Sequence, residues 1–320
     1  MKTLVLRTLL ACTAALLATG CGDGSQPAST SAIDQRIQEL FPTDPPFGTT
    51  NRDQVRRMMQ VPAEEDGPFY MVNLIRHRER AEYPDGRETD LTGAEADGLY
   101  GQSILPILLD IGARPVFVGD AELNLISSDG ETWDQIGMVR YPSRAKFFEM
   151  LEREDFRAVS QHKAAGVEKT LVLASVPQQA PFPDEFYRVD MSSVPHPPTP
   201  DDPPITMAHL LGFHEIAQYE DGRETTLTGR EAMALYEQGR EQQGVIGRGV
   251  RPGLWVDIEG ELVGDGRTWS EFRLNNFPSR AAFWDVASVS EEAGIEHRNA
   301  AIRDTYTQLV APFINEWGYR

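Results

Sequence analysis

The stretch YPDGRETDLTGAEADGLY, residues 83–100, returns as YEDGRETTLTGREAMALY, residues 219–236, with identity at 13 of 18 positions and a spacing of 136 residues. A match of that length mixing Gly, Arg, Glu, Thr and Tyr is an internal duplication. Part of the stretch is architecture. Asp85-Gly86 and Asp221-Gly222 are turn dipeptides. Thr92…Glu95 and Thr228…Glu231 fit the capping box that opens a helix. Turn and cap leave Tyr83, Arg87, Glu88 and Tyr100 without a role, together with their second-copy partners Tyr219, Arg223, Glu224 and Tyr236.

Outward from this stretch, both copies run through one order of signals. PFYMVNLIR (68–76) and ITMAHLLGF (205–213) are apolar runs of strand length. After the capped helices come ARPVFVGDAELNLI (113–126) and VRPGLWVDIEGELV (250–263), which read as strands interrupted by a short turn, then WDQIGMVRYP (133–142) and WSEFRLNNFP (269–278), which alternate as half-buried strands do. Pro-Ser-Arg-Ala at 142–145 and 278–281 opens a helix with serine as N-cap. A further helical stretch carries His162-Lys163 or His297-Arg298, and a last strand closes each copy. Each copy thus reads β-α-β-β-α-β, an α+β class with ferredoxin-like order, in which helices cover one face of an antiparallel sheet.

The segments Met71-Val72-Asn73-Leu74, 83–100, Trp133-Asp134, Tyr141-Pro142-Ser143-Arg144-Ala145 and His162-Lys163-Ala164-Ala165 resemble the dimeric α/β-barrel superfamily, and within it a bacterial domain family of unknown function. The resemblance implies that two ferredoxin-like sheets face each other to close a barrel, here as an intramolecular pseudo-dimer in a chain that is otherwise a monomer. The expected boundaries are an export signal over 1–20, a tether over 21–49, repeats over 50–176 and 205–320, and a linker over 177–204 with nine prolines.

The N-terminus places Lys2 and Arg7 before an apolar run at 9–18 that is too short to span a bilayer, followed by Ala18-Thr19-Gly20-Cys21. This resembles a bacterial lipobox, with Cys21 as the lipidated residue, and Gly22 after it resembles proteins sent to the outer membrane, facing the periplasm. The membrane then enters only through the lipid. The other cysteine, Cys12, would leave with the signal, so thiol chemistry, disulfides and thiolate metal sites are excluded from the mature chain. A net charge of −19 argues against nucleic acid. The chain has no H-E-x-x-H or H-x-H motif, no Gly-rich phosphate loop and no G-x-S-x-G elbow, so neither a metal nor a cofactor is expected.

Two readings of function stand. One is a cofactor-independent enzyme acting on a small carbonyl-bearing or aromatic molecule, with His209 transferring a proton and Arg223 and Tyr236 stabilising an oxyanion. The other is a lipid-anchored binding protein for a small apolar ligand. In both, Asn73, Arg87, Tyr100 and Glu224 are the expected ligand contacts. His209 stands where the first copy has Asn73, which predicts that the halves differ and that the second is the active one. Its apolar neighbours also suit a satisfied core histidine, facing either the lumen or the helices.

Overall fold

The computed structural model describes residues 30–178, 193–242, 246–289 and 294–319. The segment expected to be an export signal, Cys21 and residues 179–192 of the proline-rich linker lie outside the described residues. A lead-in comprises α1 (Thr30–Leu40), β1 (Thr49–Thr50) and α2 (Arg52–Met59). The first half follows as β2 (Phe69–His77), α3 (Gly93–Asp110), β3 (Arg114–Ser127), β4 (Gln135–Tyr141), α4 (Arg144–Glu152), α5 (Glu154–Gly166) and β5 (Val167–Pro177). The second half is β6 (Ile205–Phe213), α6 (Gly229–Gln242), β7 (Arg251–Gly264), β8 (Glu271–Phe277), α7 (Arg280–Val289), α8 (Ile295–Ala301) and β9 (Ile302–Asn315).

These strands correct the expected fold class. Two ferredoxin-like βαββαβ units, each with its own sheet and the two sheets face to face as an α/β-barrel pseudo-dimer, do not describe the chain. All nine strands form one sheet in the order β1-β7-β5-β2-β4-β3-β9-β6-β8, and β7 also pairs β8. Eight strands therefore close an antiparallel β-barrel, and the short β1 is added on β7. The reason lies at the strand edges: β3 pairs β9 from Phe117 to Ser127, and β5 pairs β7 from Val172 to Pro177, so the edge groups of one half are satisfied by the other. The expected interruption in β3 and β7 is also absent. Each is a single 14-residue strand whose register shifts absorb the irregularity.

Alternation along the strands separates two cores. Val72, Leu74, Ile136, Met138, Leu171 and Leu173 from the first half meet Ala208, Leu210, Phe272 and Leu274 from the second inside the barrel. Tyr306 lies there between Trp133 and Trp269, with ring centroids at 5.5 and 5.3 Å. Among the described residues the lumen is thus packed with side chains. The opposite face of each strand carries the helices: Phe69 and Met71 lie under α3 and α4 residues such as Ile104, Ile107 and Phe148, where Ile33 and Ile37 of α1 also pack.

The repeated Pro-Ser-Arg-Ala segments tie the halves together. Asp66 accepts the backbone amides of Arg144 and Ala145 at 2.7 and 2.9 Å, and the Arg144 guanidinium crosses to Glu259 of the second half at 2.5 Å. Reciprocally, Asp202 accepts the amides of Arg280 and Ala281, and Arg280 Nε donates to Glu122 of the first half at 2.8 Å. The repeated Thr-Gly pair has a steric origin: a Cβ on Gly93 would lie 2.2 Å from the Arg78 carbonyl and 2.5 Å from that of Gly166. Here α3 crosses α5 with backbone against backbone.

Candidate functional site between the first-half sheet and its helices

The repeated loop resolves into a stacked unit. The Arg87 guanidinium lies 3.6 Å from the Tyr83 ring centroid, and Arg223 lies 3.7 Å from that of Tyr219. The tyrosine hydroxyls lie 2.7 Å from Nδ1 of His162 and of His297 respectively. Asp85 and Asp221 accept the backbone amides of Arg87 and Arg223, which closes the turns. Both capping boxes form, and the amides they offer hold the Glu95 and Glu231 carboxyls below the usual range. Arg87, Arg223 and Glu224 are exposed on these loops. An open depression of about 650 Å³ beside Arg80, Tyr83, Arg87 and Asp90 belongs to the first loop.

His209 faces the helices, because Ala208 and Leu210 on either side of it point into the lumen. Its Nε2 lies 3.0 Å from Thr305 Oγ1, and that hydroxyl donates to the Leu210 carbonyl at 3.0 Å. The threonine proton is committed to the carbonyl, so its oxygen accepts from a protonated Nε2. Tyr236 is buried with Tyr219, Met233 and Phe213 in the apolar cluster beneath α6 and α8.

A row across each half separates the two copies. In the first half the register aligns Val118, Gly137, Asn73 and Val172; in the second it aligns Trp255, Arg273, His209 and Thr307. Arg273 is 7 % exposed and stacks 4.0 Å from the Trp255 ring. It is paired with Glu237 of α6 and with Glu271, itself 1 % exposed. In the first half the positions of Arg273 and Glu237 are both glycine, Gly137 on the sheet and Gly101 on α3. A Cβ added at either would meet nothing within 4 Å. The first half therefore has an open lane between sheet and helix where the second half has a buried ionic plug.

Polar side chains gather beside that lane. Lys163 Nζ of α5 donates to Asn73 Oδ1 at 3.3 Å and lies 5.6 and 5.7 Å from the ring centroids of Tyr100 and Phe47. Asp97 stands one turn before Tyr100 on α3, 3.1 Å from His77 Nε2. The second copy has Phe213 and Met233 in place of His77 and Asp97. Burial lowers the Lys163 ammonium from its ordinary value, opposed by the charge of Asp97, and burial raises the Tyr100 hydroxyl, with Asp97 adding to the rise. Tyr100 thus stays a protonated donor near neutrality. Among the described residues no three His, Cys, Asp or Glu side chains converge on a metal position.

The structure thus brings together two of the expected residues, Asn73 and Tyr100, and adds Lys163, Asp97 and His77. The signal for the lane was present in the aligned copies, as Gly137 against Arg273 and Gly101 against Glu237. Lys163 supplies a test of its own. Lys163→Met removes an ammonium that burial disfavours, so it is expected to melt no lower than wild type at neutral pH. As pH rises toward the ordinary lysine range the unfolded chain holds a proton that the folded one has lost, so the wild type gains relative to the variant. Melting curves against pH check this, and a wild-type advantage that is largest at low pH contradicts it.

Fold and site define a single-chain antiparallel barrel of two related halves, with a polar lane left open in one of them. Two structures of RPA0582, a protein of unknown function from Rhodopseudomonas palustris, match this chain at 40% and 38% identity, covering 37% and 36% of this chain and 85% of theirs, with TM-scores of 0.34 and 0.33. By that identity the chain belongs to the family of RPA0582, whose chain is matched over 85% of its length by 37% of this one. Chlorite dismutase from Candidatus Nitrospira defluvii, in complex with imidazole, matches at 11% identity over 78% of this chain and 92% of its own, TM-score 0.44, which carries no functional argument. No family model matches, and no curated protein matches.

Proposed function

We propose that this chain is a cofactor-independent enzyme acting on a small carbonyl-bearing molecule with an apolar or aromatic body, and that its site is the first-half lane. The observation that supports this reading is the contrast between the copies: open space and a hydrogen-bonded ammonium in one, a buried Arg–Glu plug in the other. In the lane the Tyr100 hydroxyl would donate to the carbonyl oxygen and stabilise charge developing there, with the Lys163 side chain beside the carbonyl. The Asp97–His77 pair would accept and return a proton. The rings of Phe47 and Tyr100 suit an aromatic body, and the charge of −19 disfavours anions. In this reading His209 is a positioned core histidine, and the expected activity moves from the second half to the first.

The test is Gly137→Arg, which recreates the residue of the plugged copy. Gly137 sits in a regular strand with open space above it, so the variant is expected to keep its melting temperature. It is also expected to lose the stabilisation that a neutral aromatic aldehyde such as benzaldehyde gives the wild type, about 2.7 kcal/mol when ligand is at a hundred times its Kd. Equal stabilisation of wild type and variant would sink the assignment.

We also propose the lipid-anchored address, in the cell envelope and facing the periplasm, on the pattern ending in Cys21. No helix among the described residues is long and apolar enough to cross a membrane. A Cys21→Ala product that still fractionates with membranes at mature mass would overturn that address.

A further inference from the structure

The chain's 30 basic residues include four lysines, Lys2, Lys146, Lys163 and Lys169, against 26 arginines. Lys146 pairs with Glu149 at 2.6 Å, and Lys169 with Glu131 at 3.1 Å. Lys163 differs: among the described residues no carboxylate lies within ion-pair distance of it, and its amine is held by the Asn73 amide oxygen between two aromatic rings. The plugged second copy carries Arg298 at the aligned position. A guanidinium supplies charge but no nucleophile, because it is not deprotonated in proteins, whereas a desolvated lysine amine can lose its proton and attack a carbonyl carbon. The copy with the open lane has the residue type that can do this.

We propose that Lys163 condenses with the carbonyl carbon of its ligand, an uncharged aromatic aldehyde or ketone, to form a Schiff base. This rests on the reading of the first-half lane as the site. The neutral amine adds its lone pair to the carbonyl carbon, and the carbon–nitrogen bond forms as the carbonyl π electrons move to oxygen. A proton passes from nitrogen to that oxygen, giving the carbinolamine. A second protonation lets the oxygen leave as water as the nitrogen lone pair forms the protonated imine, and loss of the nitrogen proton, which replaces the one consumed, gives the neutral Schiff base. Nothing is oxidised or reduced, and hydrolysis reverses the sequence. No hydrogen bond engages the Tyr100 hydroxyl among the described residues, which leaves it free to donate to the departing oxygen. The lowered proton affinity of Lys163 raises the share of free amine near neutral pH.

The experiment treats the full chain with benzaldehyde and cyanoborohydride at neutral pH, maps benzylated lysines by peptide mass spectrometry, and follows melting with benzaldehyde in parallel. Lys163 is expected to label about tenfold faster than Lys146 or Lys169, with saturation in benzaldehyde, since an aldehyde held in the lane meets its amine at a raised effective concentration and burial lowers its proton affinity. Gly137→Arg is expected to abolish the excess, and Lys163→Arg, checked for folding by its melt, to leave only the other lysines labelled. If benzaldehyde stabilises the wild type but not Gly137→Arg, and Lys163 is not labelled, the lane stands and the Schiff base is overturned. If neither stabilisation nor labelling at Lys163 is found, both fall. Equal labelling of Lys146, Lys163 and Lys169 also overturns the proposal.

Discussion

Arg273→Ala is expected to destabilise the protein by roughly 3 kcal/mol, the lower end of the range for removing one member of a buried ion pair. The guanidinium joins Glu237 on α6 to Glu271 on β8 and stacks on Trp255. Its loss leaves Glu237 without that partner and opens a hole above the His209 row. Arg230 remains on Glu271, which keeps the figure at the low end. Urea denaturation followed by circular dichroism reads the change directly. A loss under about 1 kcal/mol would place Arg273 with solvated surface pairs and remove the ionic plug from the account. Gly137→Arg, which changes the equivalent position in the opposite direction, is expected to leave stability nearly untouched; the two variants together measure the asymmetry between the halves.

Residues 50–178 expressed alone are expected not to form a monomer. The fragment keeps β2 to β5 but loses the partners of β3 and β5, so two edges carry unpaired backbone groups. Its lumen face, with Val72, Leu74, Ile136, Met138, Leu171 and Leu173, loses Leu210, Phe272, Leu274 and Tyr306. At about 25 cal/mol per Å² of apolar surface, exposing such a face costs more than a domain of this size holds in reserve. Arg144 would also lose Glu259. Aggregation or self-pairing into a homodimer is the expected result by light scattering after gel filtration, and mixing with residues 205–319 is expected to give a one-to-one pair. A monodisperse monomer would contradict the closed barrel.

What could be read from the sequence was local. The Thr92 and Thr228 capping boxes, the Asp-Gly turns and the Ser143 cap form where their spacing puts them, because each depends on residues a few positions apart. Barrel closure was not legible, since strand register and the choice of edge partner are set between residues far apart in sequence. Asp66, which anchors Arg144, lies outside the motif it serves, as does Glu259 in the other half. The site was half legible. Tyr100 stood out by repetition and Asn73 by its replacement with His209 in the second copy, whereas the lane is made by glycines, which announce no chemistry by themselves. Lys163 was overshadowed by His162, whose ring is committed to Tyr83. Arg87 and Arg223 attracted attention as cations, yet their planes cover tyrosine rings.

The central claim, that the first half binds and the second is plugged, is tested most directly by a crystal structure of the full chain saturated with benzaldehyde. The account predicts ligand density over Gly137 and against Asn73, Tyr100 and Lys163, with the Arg273–Glu237 contact of the other half unchanged. Density beside His209, or within the barrel lumen, with the lane over Gly137 empty, would contradict it.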